Sequence, residues 1–251
     1  MDRRISKERV KYLAKLHQKK FRLEEDLVIV EGANIIEQLI QNGYPPLEIY
    51  HTEETPLPHG LGGTNCLVGD DAALERICDT KTPQGIAGLY HLPAESEGEF
   101  RTALYLDGIA DPGNLGTIFR TAAAFGIDTI LLSEDCTEVA SPKVIRASLG
   151  SVFWLRHKTL THSQLLSLGA SKYCLIMEGK IPLNSFQPSG ARSVYLIGSE
   201  AHGVSPELIS RCDGSLRIAM AEGMESLNAA VASAILAHHL YIKQRISDEC
   251  D

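Results

Sequence analysis

Three polar loops in the C-terminal part of the chain contain the side chains best suited to chemistry. Each loop follows a short apolar strand and leads into a helix, and the loops span residues 107–121, 196–205 and 218–228. Because ligands of open α/β sheets bind at the carboxyl ends of the strands, we expect the three loops to form one composite site. Each loop taken alone is equally well explained as an ordinary strand-to-helix turn.

The first loop offers an amide and a guanidinium group. Asn114 follows a Pro-Gly turn and stands where a helix N-cap is expected. Arg120 falls outside the apolar stripe of the helix that follows, which we expect to begin at Leu115. In the second turn of that helix, the helix dipole disfavours a cation unless an anion lies nearby. Arg120 is therefore either a surface residue or a contact for an anionic substrate.

The other two loops add a carboxylate, a hydroxyl and a second amide. Glu200 follows a buried strand between two glycines, which allow the backbone to approach a ligand closely. Ser226 and Asn228 flank Leu227 at a helix start, where backbone N–H groups can bind an acceptor, although Ser226 is also typical of an N-cap. These groups suit transfer chemistry on a phosphate-bearing polymer, but they do not identify the group that is transferred.

Composition and missing motifs disfavour several other functions. No Gly-x-Gly-x-x-Gly follows the first strand, and neither a Walker A sequence nor Gly-x-Ser-x-Gly occurs, which disfavours a standard dinucleotide site, a P-loop NTPase and a serine hydrolase. The six cysteines form no Cys-x-x-Cys pair, so we expect no metal site and no disulfides, but reduced thiols in a cytoplasmic protein. No apolar run reaches the ~18 residues of a membrane span, so no membrane contact is expected.

Charge is distributed unevenly along the chain. The net charge is −8, yet residues 1–22 hold nine Lys or Arg against two acidic residues. This segment carries a surplus of seven positive charges, and the remainder therefore a surplus of fifteen negative ones. A basic arm on an acidic body is typical of proteins that contact phosphates, and a solvated helix face is the alternative interpretation.

Apolar periodicity predicts two α/β domains. Residues 1–95, with the basic arm 1–22, predict a small domain followed by a polar linker at 93–99. Its strands are expected at 27–31, 47–50 and 84–92. From residue 101 strands and helices alternate, which predicts a domain over 100–251 with a parallel sheet covered by helices on both faces. The expected elements of this domain include a strand at 152–155 and a long helix at 227–246.

The three loops resemble the motifs of the SpoU (TrmH) family, which are RNA ribose 2′-O-methyltransferases of the SPOUT superfamily. The chain is similar to these motifs, in order and spacing, at D-P-G-N-L-G-T-I-F-R-T-A-A-A-F-G (111–126), L-I-G-S-E-A-H-G-V-S (196–205) and I-A-M-A-E-G-M-E-S-L-N (218–228). S-P-K-V-I-R-A-S-L-G-S (141–151) also matches, so the resemblance covers roughly residues 100–245. V-E-G-A-N-I-I-E-Q-L-I (30–40) resembles the family's RNA substrate-binding domain.

This resemblance implies an enzyme that methylates a ribose 2′-hydroxyl of RNA with S-adenosylmethionine as the donor. It also implies a C-terminal trefoil knot and a homodimer with its sites at the interface. By motif position, the residues that hold the cofactor are Gly198, Ile218 and Leu227. The catalytic and RNA-facing residues are Asn114, Arg120, Glu200, Ser226 and Asn228. The chain departs from the usual motifs at Ser199, where Asn is common, and at Ala219, where Pro is common.

Several alternatives stay open at this point. Arg120 is proposed as the base in this family, but arginine is effectively always protonated, so we favour a cation that fixes the substrate phosphate and stabilises the developing alkoxide. The separate N-terminal domain and the segment 82–86 favour ribosomal RNA over transfer RNA as the partner. A catalytically silent RNA-binding protein and a base methyltransferase are rival interpretations, which the retained site residues and N-L-G-T-I-F-R (114–120) disfavour. The sequence does not identify the nucleotide.

Overall fold

The chain divides into two units, and the computed structural model describes residues 3–80, 82–96, 98–189, 191–224 and 226–248. The first unit comprises residues 1–94 and 139–154, and the second comprises residues 95–138 and 155–251. No helix in the described part of the chain has the length and apolar character needed to cross a membrane.

The elements follow one another along the chain in an α/β pattern. Residues up to 94 form β1 (Arg3–Arg4), α1 (Lys7–Ala14), α2 (Lys19–Glu25), β2 (Leu27–Glu31), α3 (Ala33–Gln41), β3 (Glu48–His51), β4 (Asn65–Val68), α4 (Asp71–Ile77) and β5 (Ile86–His91). Next come β6 (Thr102–Asp107), α5 (Pro112–Ala124), β7 (Thr129–Leu132) and α6 (Pro142–Ala147). The rest holds β8 (Arg156–Thr159), α7 (His162–Ser167), β9 (Ser171–Leu175), β10 (Ile181–Pro182), β11 (Ser193–Gly198), α8 (Pro206–Ile209), β12 (Gly214–Arg217) and α9 (Ala229–Asp248).

The first unit is built on a five-stranded sheet of order β1-β4-β3-β5-β2, in which β5 runs antiparallel to both neighbours. The basic N-terminal segment belongs to its core, which corrects the expectation of a separate arm. Val10, Leu13 and Leu16 recur every three residues between the basic side chains and are all buried. Arg22 is buried as well and donates to the carbonyl of Leu16 at 3.0 Å. Because basic residues predominate in this segment, its net charge alone does not reveal the apolar stripe.

Residues 139–154 also pack into the first unit, although the sequence assigns them to the range 100–251. Helix α6 packs against β2, and the ring of Phe153 lies 6.1 Å from that of Tyr44 and 5.7 Å from that of Tyr90. The strand expected at 152–155 is wrong, because Ser151–Phe153 forms a turn of 3₁₀ helix and the strand begins at Arg156. In this run the ring of Phe153 packs against other aromatic rings, and the backbone does not pair with a strand of the sheet.

The second unit is built on a seven-stranded sheet, whose order is β10-β12-β9-β11-β6-β7-β8 and whose pairings are all parallel. Ala103 and Tyr105 face a core that includes residues of α7 and α8. Leu104 and Leu106 point to the other face and are equally buried, so both faces are covered as the sequence predicts. On the second face α9 contacts β11 and packs along α5.

The strand order determines which loops can meet. β11 lies between β9 and β6, and Gly198 at the end of β11 is in register with Asp107 at the end of β6. In a parallel sheet the carboxyl ends of neighbouring strands share one edge, so the loops after β6, β9, β11 and β12 are all at this edge.

Candidate active site

A cavity of about 330 Å³ lies at the carboxyl edge of the seven-stranded sheet. Its wall is made by the end of β9 and the residues after it, by the loop of residues 199–205 that follows β11 (the β11 loop), and by residues from Ile218, Met220 and Ser226 to the start of α9. Gly198, Ile218 and Leu227, the three residues that the motifs assign to the cofactor, all line this cavity. Ser226 lines it too and is exposed.

Gly198 and Gly203 hold the β11 loop in a tight fold. A Cβ atom at Gly198 would lie 1.8 Å from the carbonyl carbon of Gly203, so no side chain fits there. Gly203 has a φ of 65° and its N–H donates to the carbonyl of Ser199 at 2.8 Å. The sequence predicts that these glycines allow backbone to approach a ligand, whereas in the structure they allow two backbone segments to approach each other.

Asn114, Glu200 and Asn228 form one hydrogen-bonded cluster beside the cavity, although they come from three separate loops. Oε1 of Glu200 accepts from Nδ2 of Asn114, from Nδ2 of Asn228 at 3.5 Å and from the backbone N–H of Ala229 at 3.3 Å. Nδ2 of Asn228 also donates to Oδ1 of Asn114 at 3.0 Å. The three side chains therefore fix one another, and the carboxylate of Glu200 is at their centre.

The helix caps differ from those that the sequence predicts. Asp111 caps α5 by accepting the N–H of Asn114 at 2.8 Å, so Asn114 lies in the first turn and its side chain is available to Glu200. Asn228 caps α9, because its Oδ1 accepts the N–H groups of Ala230 at 3.0 Å and Val231 at 3.3 Å. Ser226 is therefore not the cap of this helix, and its usual structural explanation does not apply.

Arg120 is separate from the cluster. Because α5 begins at Pro112, Arg120 lies in the third turn, where the helix dipole has little effect, and the argument from the dipole does not hold. Its side chain is exposed, does not line the cavity, and makes no hydrogen bond or ion pair with the residues that the structure describes. The structure thus brings together every predicted site residue except Arg120.

Two features of this site are not indicated by the sequence motifs. The residues around the end of β9, Leu175–Glu178, line the cavity, and the signal that points to them is only the position of β9 beside β11. Asp107 at the end of β6 accepts the N–H of Ser205 at 2.8 Å and so contacts the end of the β11 loop. Among the described residues, no three His, Cys, Asp or Glu side chains converge as a metal site would require.

Comparison with known proteins identifies the family. Residues 101–238 match the model of the SpoU rRNA Methylase family, and residues 7–88 match that of the MRM3-like substrate binding domain. The chain therefore belongs to the SpoU family and is an RNA methyltransferase.

Individual relatives extend this match over nearly the whole chain. It is 32% identical to the 23S rRNA (guanosine(2553)-2′-O)-methyltransferase RlmP of Bacillus subtilis over 238 residues, which are 93% of this chain and 96% of that protein. A solved structure from Porphyromonas gingivalis, assigned to the TrmH family, is 30% identical with a TM-score of 0.81 and coverages of 96% and 99%. The AdoMet-bound rRNA methyltransferase of Sinorhizobium meliloti is 25% identical with a TM-score of 0.78, covering 95% of each chain. The predicted fold class and family are confirmed.

S-adenosylmethionine is the methyl donor of this family, and the cavity fits it. The volume of about 330 Å³ is within the range of small-molecule sites, roughly 300–1,000 Å³. Apolar side chains make most of its wall, which suits an adenine ring, and the carboxylates of Glu178 and Glu200 add negative charge that complements a sulfonium cation.

Proposed function

We propose that this protein transfers the methyl group of S-adenosylmethionine to a ribose 2′-hydroxyl of ribosomal RNA, with the eight motif residues in the roles that the family implies. The observation that carries this proposal is the cluster of Asn114, Glu200 and Asn228 at the edge of the cavity lined by Gly198 and Leu227. The similarity to a 23S rRNA methyltransferase over 93% of the chain supports ribosomal RNA as the substrate.

The geometry indicates what the side chains do during transfer. S-adenosylmethionine supplies, when bound, a methyl group on a positively charged sulfur, so the reaction needs no metal. Three donors hold Glu200 through Oε1, which leaves Oε2 to accept a hydrogen bond from the ribose hydroxyl. Ser226, at the cavity wall and engaged in no cap, is available to bind the same nucleotide. The cluster thus orients the hydroxyl toward the cavity.

Arg120 binds the phosphate beside the target ribose and stabilises the negative charge that develops on the attacking oxygen. As the hydroxyl oxygen attacks, its proton passes to this phosphate. A guanidinium is planar and permanently charged, so it suits bidentate phosphate binding better than proton abstraction. Its exposure and its lack of a partner among the described residues leave it available for this contact.

A homodimer would bring Arg120 to the site. Val231, Ile235 and Ile242 on α9 are 47%, 38% and 40% exposed, which is an apolar face without cover in one chain. Leu227, four residues before Val231, lines the cavity instead. We infer that two α9 helices pack through this face and that Arg120 of the partner subunit completes each site.

Two measurements test this assembly. Light scattering at micromolar concentration is expected to give about twice the chain mass of 27.4 kDa. Mixing Arg120→Ala with Leu227→Arg, each inactive alone, is expected to restore part of the activity, because a mixed dimer contains one intact site. A fully active monomer contradicts the dimer.

Family membership also supports two further proposals. The second unit carries the trefoil knot of the SPOUT superfamily, in which the segments of the second and third motifs are tucked through one another to form the cofactor pocket. The protein acts in the cytoplasm, because its ribosomal substrate is assembled there.

One assay tests the reaction and its alternatives. Labelled S-adenosylmethionine is incubated with the protein and with ribosomal or transfer RNA from a strain that lacks the gene. Transfer to ribosomal RNA is expected, and replacement of the target nucleotide by its 2′-deoxy form should abolish it. Transfer to the 2′-deoxy form indicates base methylation, transfer to tRNA alone indicates the other substrate, and binding without transfer indicates a catalytically silent RNA-binding protein.

A further inference from the structure

Asp107 lies beside the strand end that leads into the β11 loop, and it contacts the residue at which the loop ends. It is the last residue of β6, and its backbone is in register with Gly198, the residue before the loop. Its Oδ2 accepts the N–H of Ser205, where the loop ends, at 2.8 Å. The side chain is 11% exposed, so this bond is largely shielded from water.

His162 in turn holds the carboxylate of Asp107. Its Nε2 lies 3.2 Å from Oδ1 of Asp107, and its Nδ1 lies 3.6 Å from a carboxylate oxygen of Glu207 on α8. The ring also packs edge-on against Tyr105 at a centroid distance of 6.3 Å. His162 therefore connects the carboxylate at the end of the β11 loop with the helix that follows this loop.

We propose that Asp107 is a positioning residue that holds the β11 loop in its cofactor-binding shape, with His162 orienting its carboxylate. This inference rests on the proposed function, since it concerns how the loop serves the cofactor. Neither residue lines the cavity, so both act through the loop. The β11 loop contributes Ser199, Glu200 and Gly203 to the wall, and a displaced loop would open it.

The expected effect is on binding more than on the chemical step. A loop that is ordered only part of the time weakens apparent affinity by the fraction of molecules in the competent shape. A hydrogen bond to a charged acceptor is typically worth a factor of ~10–100 in an equilibrium. Loss of the Asp107–Ser205 bond should therefore raise the Kd and KM for the cofactor by about this factor, whereas kcat at saturating cofactor changes little.

Ser205→Pro tests the bond directly. Proline lacks the N–H donor, and the φ of Ser205 is −60°, which a proline ring accommodates. Ser205→Ala is the matched comparison, because it loses the same hydroxyl but keeps the N–H. Titration calorimetry with S-adenosylhomocysteine is expected to show ~10- to 100-fold weaker binding for Ser205→Pro than for Ser205→Ala. Equal affinities overturn the proposal.

Asp128→Asn controls for stability. Its carboxylate accepts the N–H groups of Arg101 at 2.8 Å and Thr102 at 2.7 Å at the opposite end of β6, away from the cavity. This variant should lose thermal stability but bind S-adenosylhomocysteine as the parent does. If it weakens binding as much as Ser205→Pro, the effect is general destabilisation and the proposal fails.

His162→Ala provides a second variant in case Ser205→Pro does not fold. It should weaken binding about 3- to 10-fold and raise the KM for the cofactor without a matching loss of kcat, because only the orienting bond is lost. Unchanged binding in His162→Ala contradicts the orienting role of the histidine. A parent protein that binds no S-adenosylhomocysteine overturns the proposed function itself, whereas normal binding by the parent and by the variants overturns only the role of Asp107.

Discussion

Replacement of Asn228 should separate two functions that this residue combines. Its Oδ1 accepts the N–H groups of Ala230 and Val231 at the start of α9, and its Nδ2 donates to Asn114 at 3.0 Å. Asn228→Ala removes both, and the lost cap alone costs about 1 kcal/mol. For a unit of this size we expect the melting temperature to fall by ~2–4 °C.

Asn228→Asp keeps the helix cap but loses the hydrogen bond that Asn228 donates to Asn114. The carboxylate still accepts both N–H groups, and its charge favours a helix N-terminus, so the melting temperature should stay within ~1 °C of the parent. It cannot donate to Asn114. It also places a second carboxylate within about 4 Å of Glu200, a repulsion of about 1 kcal/mol in water that the favourable charge at the helix N-terminus offsets in stability but that disturbs the cluster. Methyl transfer should therefore fall in both variants.

The two variants are compared by thermal melting and by transfer of labelled methyl groups to RNA. The expected pattern is low activity in both with low stability only in Asn228→Ala. An active Asn228→Asp would refute the reasoning, because the donor to Asn114 would then be dispensable. An unchanged melting temperature in Asn228→Ala would refute the assignment of the cap.

Arg120→Ala should lower kcat by ~10²–10³ and leave affinity for S-adenosylhomocysteine nearly unchanged, and Arg120→Lys should recover little because lysine lacks the planar fork; full activity of the lysine variant contradicts the role in positioning. Gly198→Ala should abolish cofactor binding in calorimetry, since its Cβ would lie 1.8 Å from the carbonyl carbon of Gly203, and near-parent affinity would refute this. Removal of residues 1–22 should unfold the first unit, because Leu13 and Leu16 belong to its core. If the first unit of the truncated protein still unfolds cooperatively on heating, that packing is contradicted.

The sequence predicts the class of fold and the family because these depend on periodic and local signals. Alternating apolar segments from residue 101 predict the parallel sheet, and three motifs identify the family that the comparisons confirm. The convergence of Asn114 with Asn228 across 114 residues follows only from the strand order, which periodicity does not specify.

The errors have a common physical origin, since short-range patterns do not reveal which tertiary partner a segment finds. Asn114 was expected to cap a helix, but Asp111 accepts the N–H of Asn114, and the helix therefore begins three residues before the expected Leu115. The run at 152–155 reads as a strand, yet Phe153 packs against two tyrosine rings. The N-terminal segment has the composition of a charged arm because its basic residues outnumber its three buried apolar residues. Those three residues nevertheless anchor the segment in the core of the first unit.

The packing of residues 139–154 into the first unit has a consequence for synthesis of the chain. Val144, Ile145 and Val152 are buried in that unit, but they are translated after β6, α5 and β7 of the second unit. The first unit cannot complete its core until residue 154 has left the ribosome, so the two units must fold in overlapping intervals. A gene fragment that ends at residue 94 would yield a product with an uncovered apolar surface on β2, and a fragment that starts at residue 95 would expose α6. A single cut in the gene therefore cannot separate the two units.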